Sequence, residues 1–217
     1  MINHKYKLFG RIRGRKKIKL TSVKFYNKYK VNTINDFDKN QKYILDIGSG
    51  SGENAIALSK KNPSAKIITC EIFEDGNINL INNIVENKIE NIYLFHGNVL
   101  KFFDELNKIN IFDQIWILFP DPWPKKRHHK RRLINDIFLK KAHTLLKASG
   151  NIMIATDSSS YMKSILKKIY DFQALYLWQN QKFDQWNYNN LDLPKTKFYE
   201  KALKSNRKSM LFKLIKI

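Results

Sequence analysis

Asp46-Ile47-Gly48-Ser49-Gly50-Ser51-Gly52-Glu53 follows directly on the apolar run Tyr43 to Ile47 and leads into a segment of helical period. Glycines placed right after a strand let the backbone approach a ligand at the carboxyl edge of a sheet, where open α/β folds bind. Outward from this loop, from Gln41 onward, short apolar runs alternate with helical segments, the signature of a parallel α/β sheet. The pattern predicts seven strands: Tyr43 to Ile47, Lys66 to Glu71, Ile92 to His96, Gln114 to Phe119, Asn151 to Thr156, Ala174 to Gln179 and Ser209 to Ile217. Helices fall between them. Val99, Phe102, Phe103 and Leu106 share one face, as do Met162, Ile165, Leu166 and Ile169, and a third face carries Ile78, Ile81, Val85 and Ile89. Asn180 to Pro194 reads as a polar loop, and residues 1–35 as an arm ahead of a single domain at 36–217.

A chain of 217 residues with 43% hydrophobic content can bury a core without covalent or metal staples. The single cysteine, Cys70, excludes an internal disulfide and a zinc cluster and favours a reducing compartment. Met1 to Lys19 lacks an apolar stretch, and the longest strictly apolar run, Ile115 to Phe119, is far short of a membrane span. A soluble cytoplasmic protein is expected. The net charge of +21 is concentrated in three segments. Residues 1–30 carry 11 basic and no acidic residues, residues 124–132 carry 6 and none, and residues 195–217 carry 8 and one. The rest of the chain is slightly acidic. Clustered Lys and Arg without acids bind polyanions by releasing condensed counterions from phosphates. Anionic membrane is disfavoured, because Gly10 to Leu20 has no apolar face.

Glycine spacing narrows the ligand. A dinucleotide fingerprint would need its third glycine at position 53, which is Glu53, and a carboxylate there would repel a pyrophosphate. The compact G-x-G-x-G with Asp46 two residues before it resembles instead the first motif of class I S-adenosylmethionine-dependent methyltransferases. Glu71, 19 residues after Gly52 at the end of the second strand, is placed to accept hydrogen bonds from ribose hydroxyls. After the third strand, Gly97-Asn98 offers an amide where such enzymes contact adenine.

The fourth strand ends in Phe119-Pro120-Asp121-Pro122-Trp123-Pro124 and passes into Lys125-Lys126-Arg127-His128-His129-Lys130-Arg131-Arg132. Two prolines restrict the backbone on either side of Asp121 and fix where its carboxylate points. This pair of motifs, with Gly10-Arg11-Ile12-Arg13-Gly14, Ala155-Thr156-Asp157 and Thr196-Lys197-Phe198, resembles the bacterial tRNA (guanine-N7-)-methyltransferase family from about Phe9 to the end of the chain. The resemblance implies a Rossmann-like class I methyltransferase fold, a mostly parallel seven-stranded sheet with helices on both faces, preceded by the basic arm. It implies S-adenosyl-L-methionine as cofactor, tRNA as partner and guanine-46 of the variable region as target, with neither metal nor membrane involved. It assigns Asp46, Gly48, Gly50, Glu71, Asn98 and Asp121 to the donor site, with Asp121 also catalytic. Lys125, Asp157, Thr196, Lys197, Phe198 and Tyr199 would meet the tRNA. This chain departs from the family in having Asp46 for the usual Glu, Ser49 for Phe, and Asn98 where Asp is frequent. The family's T-x-F/Y-E reaches Tyr199 here, with Glu200 one place later.

Guanine N7 carries a free lone pair and no proton at neutral pH, so transfer to it needs positioning more than a strong base. Asp121 is expected to accept from the N1–H and N2–H₂ edge and to stabilise the charge growing on the base. Trp123 is either a base-stacking platform or a packing residue, whereas Trp116, Trp178 and Trp186 read as packing. Cys70 reads as a buried hydrophobe, and His128 and His129 as neighbours of phosphate or water. Two other readings are weighed against this one. An adenine-N6 or cytosine-N4 methyltransferase would need a second consecutive proline after Asp121. A catalytically silent RNA-binding relative would fail to bind the donor.

Overall fold

The computed structural model describes residues 6, 9, 10, 12, 14, 29, 37–106 and 109–217. Most of the expected arm, including Arg11 and Arg13, lies outside the described residues. The elements run β1 (Tyr43–Ile47), α1 (Glu53–Lys61), β2 (Lys66–Glu71), α2 (Glu74–Glu86), β3 (Ile92–His96), α3 (Val99–Glu105) and β4 (Phe112–Leu118). They continue with a 3-10 turn at Lys126–Arg131, α4 (Asp136–Leu145), β5 (Leu146–Thr156), α5 (Ser159–Asp171), β6 (Tyr176–Trp178), α6 (Phe183–Trp186), α7 (Lys197–Lys204) and β7 (Met210–Lys216). One sheet has the order β3-β2-β1-β4-β5-β7-β6. β1 to β5 pair in parallel, while β7 runs antiparallel between β5 and β6. Strand order reverses between β1 and β4, the switch point where open sheets leave a crevice at their carboxyl ends.

Both faces are covered, so β1 is buried along its whole length. Tyr43, Leu45 and Ile47 point to a core built with α3, α4 and α5, through Phe102, Phe138 and Ile165. Ile44 points to the other core, with Leu58 of α1, Leu80, Ile81 and Ile84 of α2, and Tyr188 and Tyr199 of the C-terminal segment. Asp46 shares that second face by the two-residue period of a strand.

The first three strands have the expected bounds. β4 begins two residues earlier than predicted and β5 five earlier, because Phe112 pairs with Leu146 across a register irregularity that the strand pattern hides. β6 is shorter than expected, at three residues. The expected polar loop at 180–194 contains the short α6 and a 3-10 turn at Tyr188–Asn190. α7 follows it, capped by the Thr196 side chain, which accepts from the Tyr199 N–H.

α2 presents Leu80, Ile81 and Ile84 to the core, whereas Ile78 and Val85 are half-buried. The face is turned because the helix start lies against the glycine loop. A Cβ at Gly76 would come 2.5 Å from the Gly50 carbonyl oxygen, and a Cβ at Gly52, whose φ is +88°, would come 2.3 Å from Leu80 Cδ1. Gly76 therefore allows α2 to abut the loop. Gly76→Ala is expected to destabilise by a net of up to about 2 kcal/mol, the clash costing about 1 to 3 kcal/mol against the roughly 1 kcal/mol that alanine gains in a helix. Thermal unfolding should show a drop of about 5 °C; an unchanged midpoint would contradict the close approach.

Candidate active site at the carboxyl rim of the sheet

The register places the predicted residues on one rim. Ile47 pairs with Cys70 and with Ile117, and Glu71 with His96, so the glycine loop, Glu71, Gly97-Asn98 and the Phe119–Pro124 turn leave the sheet at one level. Loop backbone bonds fix this arrangement: Gly48 N–H donates to Cys70 O at 2.8 Å and Gly97 N–H to Glu71 O at 3.1 Å. Glu71 braces the loop with its side chain. Its Oε2 accepts from Gly50 N–H at 2.9 Å, and its Oε1 accepts from the N–H groups of Ile72 and Phe73. Asn98 caps α3, its Oδ1 accepting from Leu100 N–H at 2.8 Å. Gly48 and Gly50 have φ of +70° and +55° and face open space, since a Cβ on either would meet nothing within 4 Å.

Asp46 is 2% exposed behind this loop. Its Oδ1 accepts from Asn54 Nδ2 at 2.8 Å. Asp46 Oδ2, Ser49 Oγ, Asn54 Oδ1 and Asn77 Oδ1 are buried with no hydrogen-bond partner among the described residues. Buried polar atoms are rarely left in that state. Burial pushes the Asp46 carboxyl up to about 7, aided by the charges of Glu71 and Glu53 and opposed by the Asn54 bond and, more weakly, by the Ala55 backbone N–H. A buried, acceptor-rich cluster that disfavours its own negative charge suits a ligand carrying N–H groups on a positive centre. S-adenosylmethionine, with an ammonium and a sulfonium, fits it.

The ligand-free protein should register this strain. Because the folded carboxyl holds its proton up to about pH 7 and an unfolded one only to about pH 4, stability is lost as pH rises through that window, by up to about 4 kcal/mol. Asp46→Asn should flatten the dependence and raise the melting temperature above pH 7 while weakening the donor. Melting curves between about pH 5 and pH 8 that are superimposable for the two proteins would refute the assignment.

Asp121 sits in a turn whose flanking residues Phe119 and Trp123 both have positive φ, +54° and +44°. Neither is glycine, so the turn is held against local preference by its surroundings. Phe119 is clamped by its N–H bond to Ala155 O and by packing on Tyr188 and Tyr199. Arg132 holds the other side, donating from Nε to Pro122 O at 2.9 Å and from its terminal nitrogens to Ser160 O and Oγ, with its plane over Tyr161. Asp121 is exposed to the crevice, yet desolvation by the walls raises its carboxyl above the ordinary value. Described parts of the arm pass over it. A Cβ at Gly10 would lie 3.4 Å from Asp121 Oδ2, Ile12 O accepts from Glu74 N–H, and Phe9 meets Trp123 edge-on.

The basic run divides by role. Arg132 is buried, and the Arg131 guanidinium lies 5.0 and 4.9 Å from the Phe9 and Trp123 rings. Lys125, Lys126, Arg127 and Lys130 are exposed. His128 packs edge-on to Trp123, and desolvation together with Arg131, Lys125 and Lys130 lowers its pKa. Trp123 is thus a packing residue in this structure. Burial, with Glu71 nearby, pushes the Cys70 thiol up, which suits a core residue.

Of the remaining predicted residues, Asp157 pairs with Arg207 Nε at 2.7 Å. Lys197 Nζ lies 3.2 Å from Ser51 Oγ and 3.4 Å from Glu53 Oε1, joining α7 to the glycine loop. Phe198 is exposed, whereas Thr196 and Tyr199 are buried, and Tyr199 donates to Asn189 Oδ1 and packs on Tyr188. Glu200 is exposed. Sequence reasoning missed Asn54, Asn77, Gly76 and the internal role of Arg132. A buried asparagine carries no sequence signal beyond its place beside a strand-end acid. Among the described residues there is no group of His, Cys, Asp or Glu that could hold a metal ion, and no helix long and apolar enough to cross a membrane.

Comparison with known proteins places this geometry. A tRNA (guanine-N(7)-)-methyltransferase of Leptospira interrogans is 36% identical over 132 residues, 61% of each chain. A bifunctional methyltransferase of Rickettsia felis is 35% identical over 175 residues, 78% of this chain and 32% of that one. The chain thus spans between a third and three fifths of the length of these relatives. A solved Streptococcus mutans structure, described as "a putative methyltransferase" in complex with SAH, superposes with a TM-score of 0.54 at 14% identity, over 88% of this chain and 95% of that one. That likeness establishes the Rossmann-like class I methyltransferase fold. The model of the family described as "Putative methyltransferase" matches residues 40–212. With the acid, glycine loop and strand-four turn on one rim, the chain belongs to this methyltransferase family.

Proposed function

We propose that the protein transfers a methyl group from S-adenosyl-L-methionine to N7 of guanine in tRNA, at guanine-46 of the variable region, in the cytoplasm. The observation that carries the reading is a rim on which a buried acceptor-rich cluster, an acid in a two-proline turn and an exposed cationic stretch leave neighbouring strands. The name of the Leptospira relative supports the substrate. When bound, the donor supplies an electrophilic methyl group on sulfur. Asp46, Asn54 and Ser49 receive the donor's polar end, and Gly48 and Gly50 leave room for it. Asp121 accepts from the guanine edge and stabilises positive charge as it develops on the base. Lys125 and the exposed cations of residues 126–130 hold phosphates. Asp157, Thr196, Lys197, Phe198 and Tyr199 shape the RNA side of the site, Tyr199 and Thr196 from within. Residues 1–35 serve as the basic arm, and residues 36–217 as the catalytic domain. Incubation of unmodified tRNA with labelled donor, followed by mapping of the modified nucleotide, tests the reading. Label at N7 of guanine-46 is expected; no label, or label on another atom, would overturn it.

A further inference from the structure

Arg132 belongs by sequence to the basic run, but the fold takes it inside, where it is 3% exposed. Its main chain is pinned on both sides. The N–H donates to His129 O at 3.0 Å, and the carbonyl accepts at 3.0 Å from Asn135 Nδ2, on the side chain that also caps α4. From that base the guanidinium donates to Pro122 O at 2.9 Å, to Ser160 O at 3.2 Å and to Ser160 Oγ at 2.9 Å, and lies 4.9 Å from the centre of the Tyr161 ring. Tyr161 is fixed in turn, its phenol oxygen accepting from Ile134 N–H. Among the described residues no carboxylate pairs with Arg132. Burying a guanidinium without an acid carries a desolvation cost, and burial lowers its pKa.

The acceptors lie on two separate parts of the rim. Ser160 stands in the first turn of α5, directly after Asp157 and the Ser158 cap. Pro122 O belongs to the peptide that precedes Trp123, whose φ is +44°, so the guanidinium holds the plane that a relaxed tryptophan would rotate. Pro122 confines Asp121 to extended backbone, and Phe119 N–H, bonded to Ala155 O, anchors the other end of the turn. Asp121 thus hangs between one anchor on β5 and one on α5. We infer that Arg132 is a positioning residue for methyl transfer, bolting the Asp121 turn to the first turn of α5 and taking no part in phosphate binding. The inference rests on the role given to Asp121 above. A lysine keeps the charge but cannot present a planar fork to acceptors on two segments at once.

Single-turnover methylation of tRNA, measured with tRNA and S-adenosylmethionine both saturating, separates positioning from phosphate binding. Arg132→Lys is expected to lower that rate by roughly 10- to 100-fold, since a small misplacement of a reacting group has that effect. In an Asp121→Asn background the same change should cost less than about threefold, because the residue through which it acts is already disabled. The logarithmic salt slope of tRNA binding should stay as in the unaltered protein. A phosphate ligand behaves in the opposite way: the rate at saturation survives, lysine substitutes for arginine, and Arg132→Gln lowers the slope by nearly one unit. Any of those results, or losses that multiply in the double variant, would overturn the inference. If circular dichroism shows Arg132→Lys unfolded, Ser160→Ala replaces it, an exposed position whose hydroxyl is one of the three acceptors. Its expected loss is roughly 3- to 10-fold in rate, again absent beside Asp121→Asn, and a full rate would overturn the inference. Failure of the unaltered protein to methylate tRNA would remove the proposed function itself. An active protein whose rate is insensitive to Arg132→Lys would remove this inference alone.

Discussion

Asp121→Asn should lower the single-turnover rate of methyl transfer to tRNA by roughly 100- to 1000-fold, equivalent to about 3 to 4 kcal/mol of lost transition-state stabilisation. The substitution keeps the shape of the side chain and the turn that carries it, since Arg132, Ser160 and Tyr161 hold that turn without using the Asp121 carboxylate. What it removes is charge. Methylation at N7 makes guanine cationic, so a carboxylate fixed beside the base strengthens its hold as the reaction proceeds, and an amide does not. The amide keeps one acceptor oxygen for the N1–H and N2–H₂ edge but turns an NH₂ donor toward the other N–H, so one of two attractions becomes a repulsion. A wild-type single-turnover rate in the variant would sink the assignment.

Salt should act on the RNA side with comparable force. If six or more phosphates are engaged, tRNA affinity falls by roughly three orders of magnitude between about 50 and 200 mM salt. Exposure marks which cations are free to supply that slope. Lys125, Lys126, Arg127 and Lys130 are exposed on the 3-10 turn and its approach, and Lys195, Lys201, Lys204 and Lys208 on and around α7. Arg132 is buried in the turn behind Asp121, and Arg207 is held by Asp157. Replacing Lys126, Arg127 and Lys130 by glutamine should reduce the logarithmic slope by nearly one unit for each phosphate no longer neutralised. Donor affinity in the same variant should stay unchanged. A flat salt response in the unaltered protein would defeat the phosphate-binding assignment of these segments.

Local patterns made the frame legible. β1, β2 and β3 are short apolar runs closed by glycine or an acid, and they begin and end where the pattern says. The glycine loop and the two-proline turn were readable because each forces the backbone within a few residues. Features that depend on one element meeting another were not. Gly76 looks like an ordinary helix interruption until α2 is seen against the Gly50 carbonyl, and that contact turns the helix onto Leu80 and Ile84. The basic run reads as uniform charge, whereas packing against Tyr161, Phe9 and Trp123 takes Arg131 and Arg132 out of it. The shift from the family's T-x-F/Y-E also gains meaning only in three dimensions. Tyr199 turns inward to Tyr188 and Phe119, and Glu200 faces out, so the side chain one place along offers the acid at the surface.

The position of β7 bears on how the chain can be made. Met210–Lys216 is slotted between β5 and β6, so the seventh strand to emerge from a ribosome is an interior member of the sheet. Until it arrives, β5 has an open edge and β6, only three residues long, has no neighbour to pair with. The helix carrying Lys197, which pairs with Glu53 of the first helix, is likewise among the last elements to be made. A nascent polypeptide therefore completes its sheet only once synthesis has passed this strand.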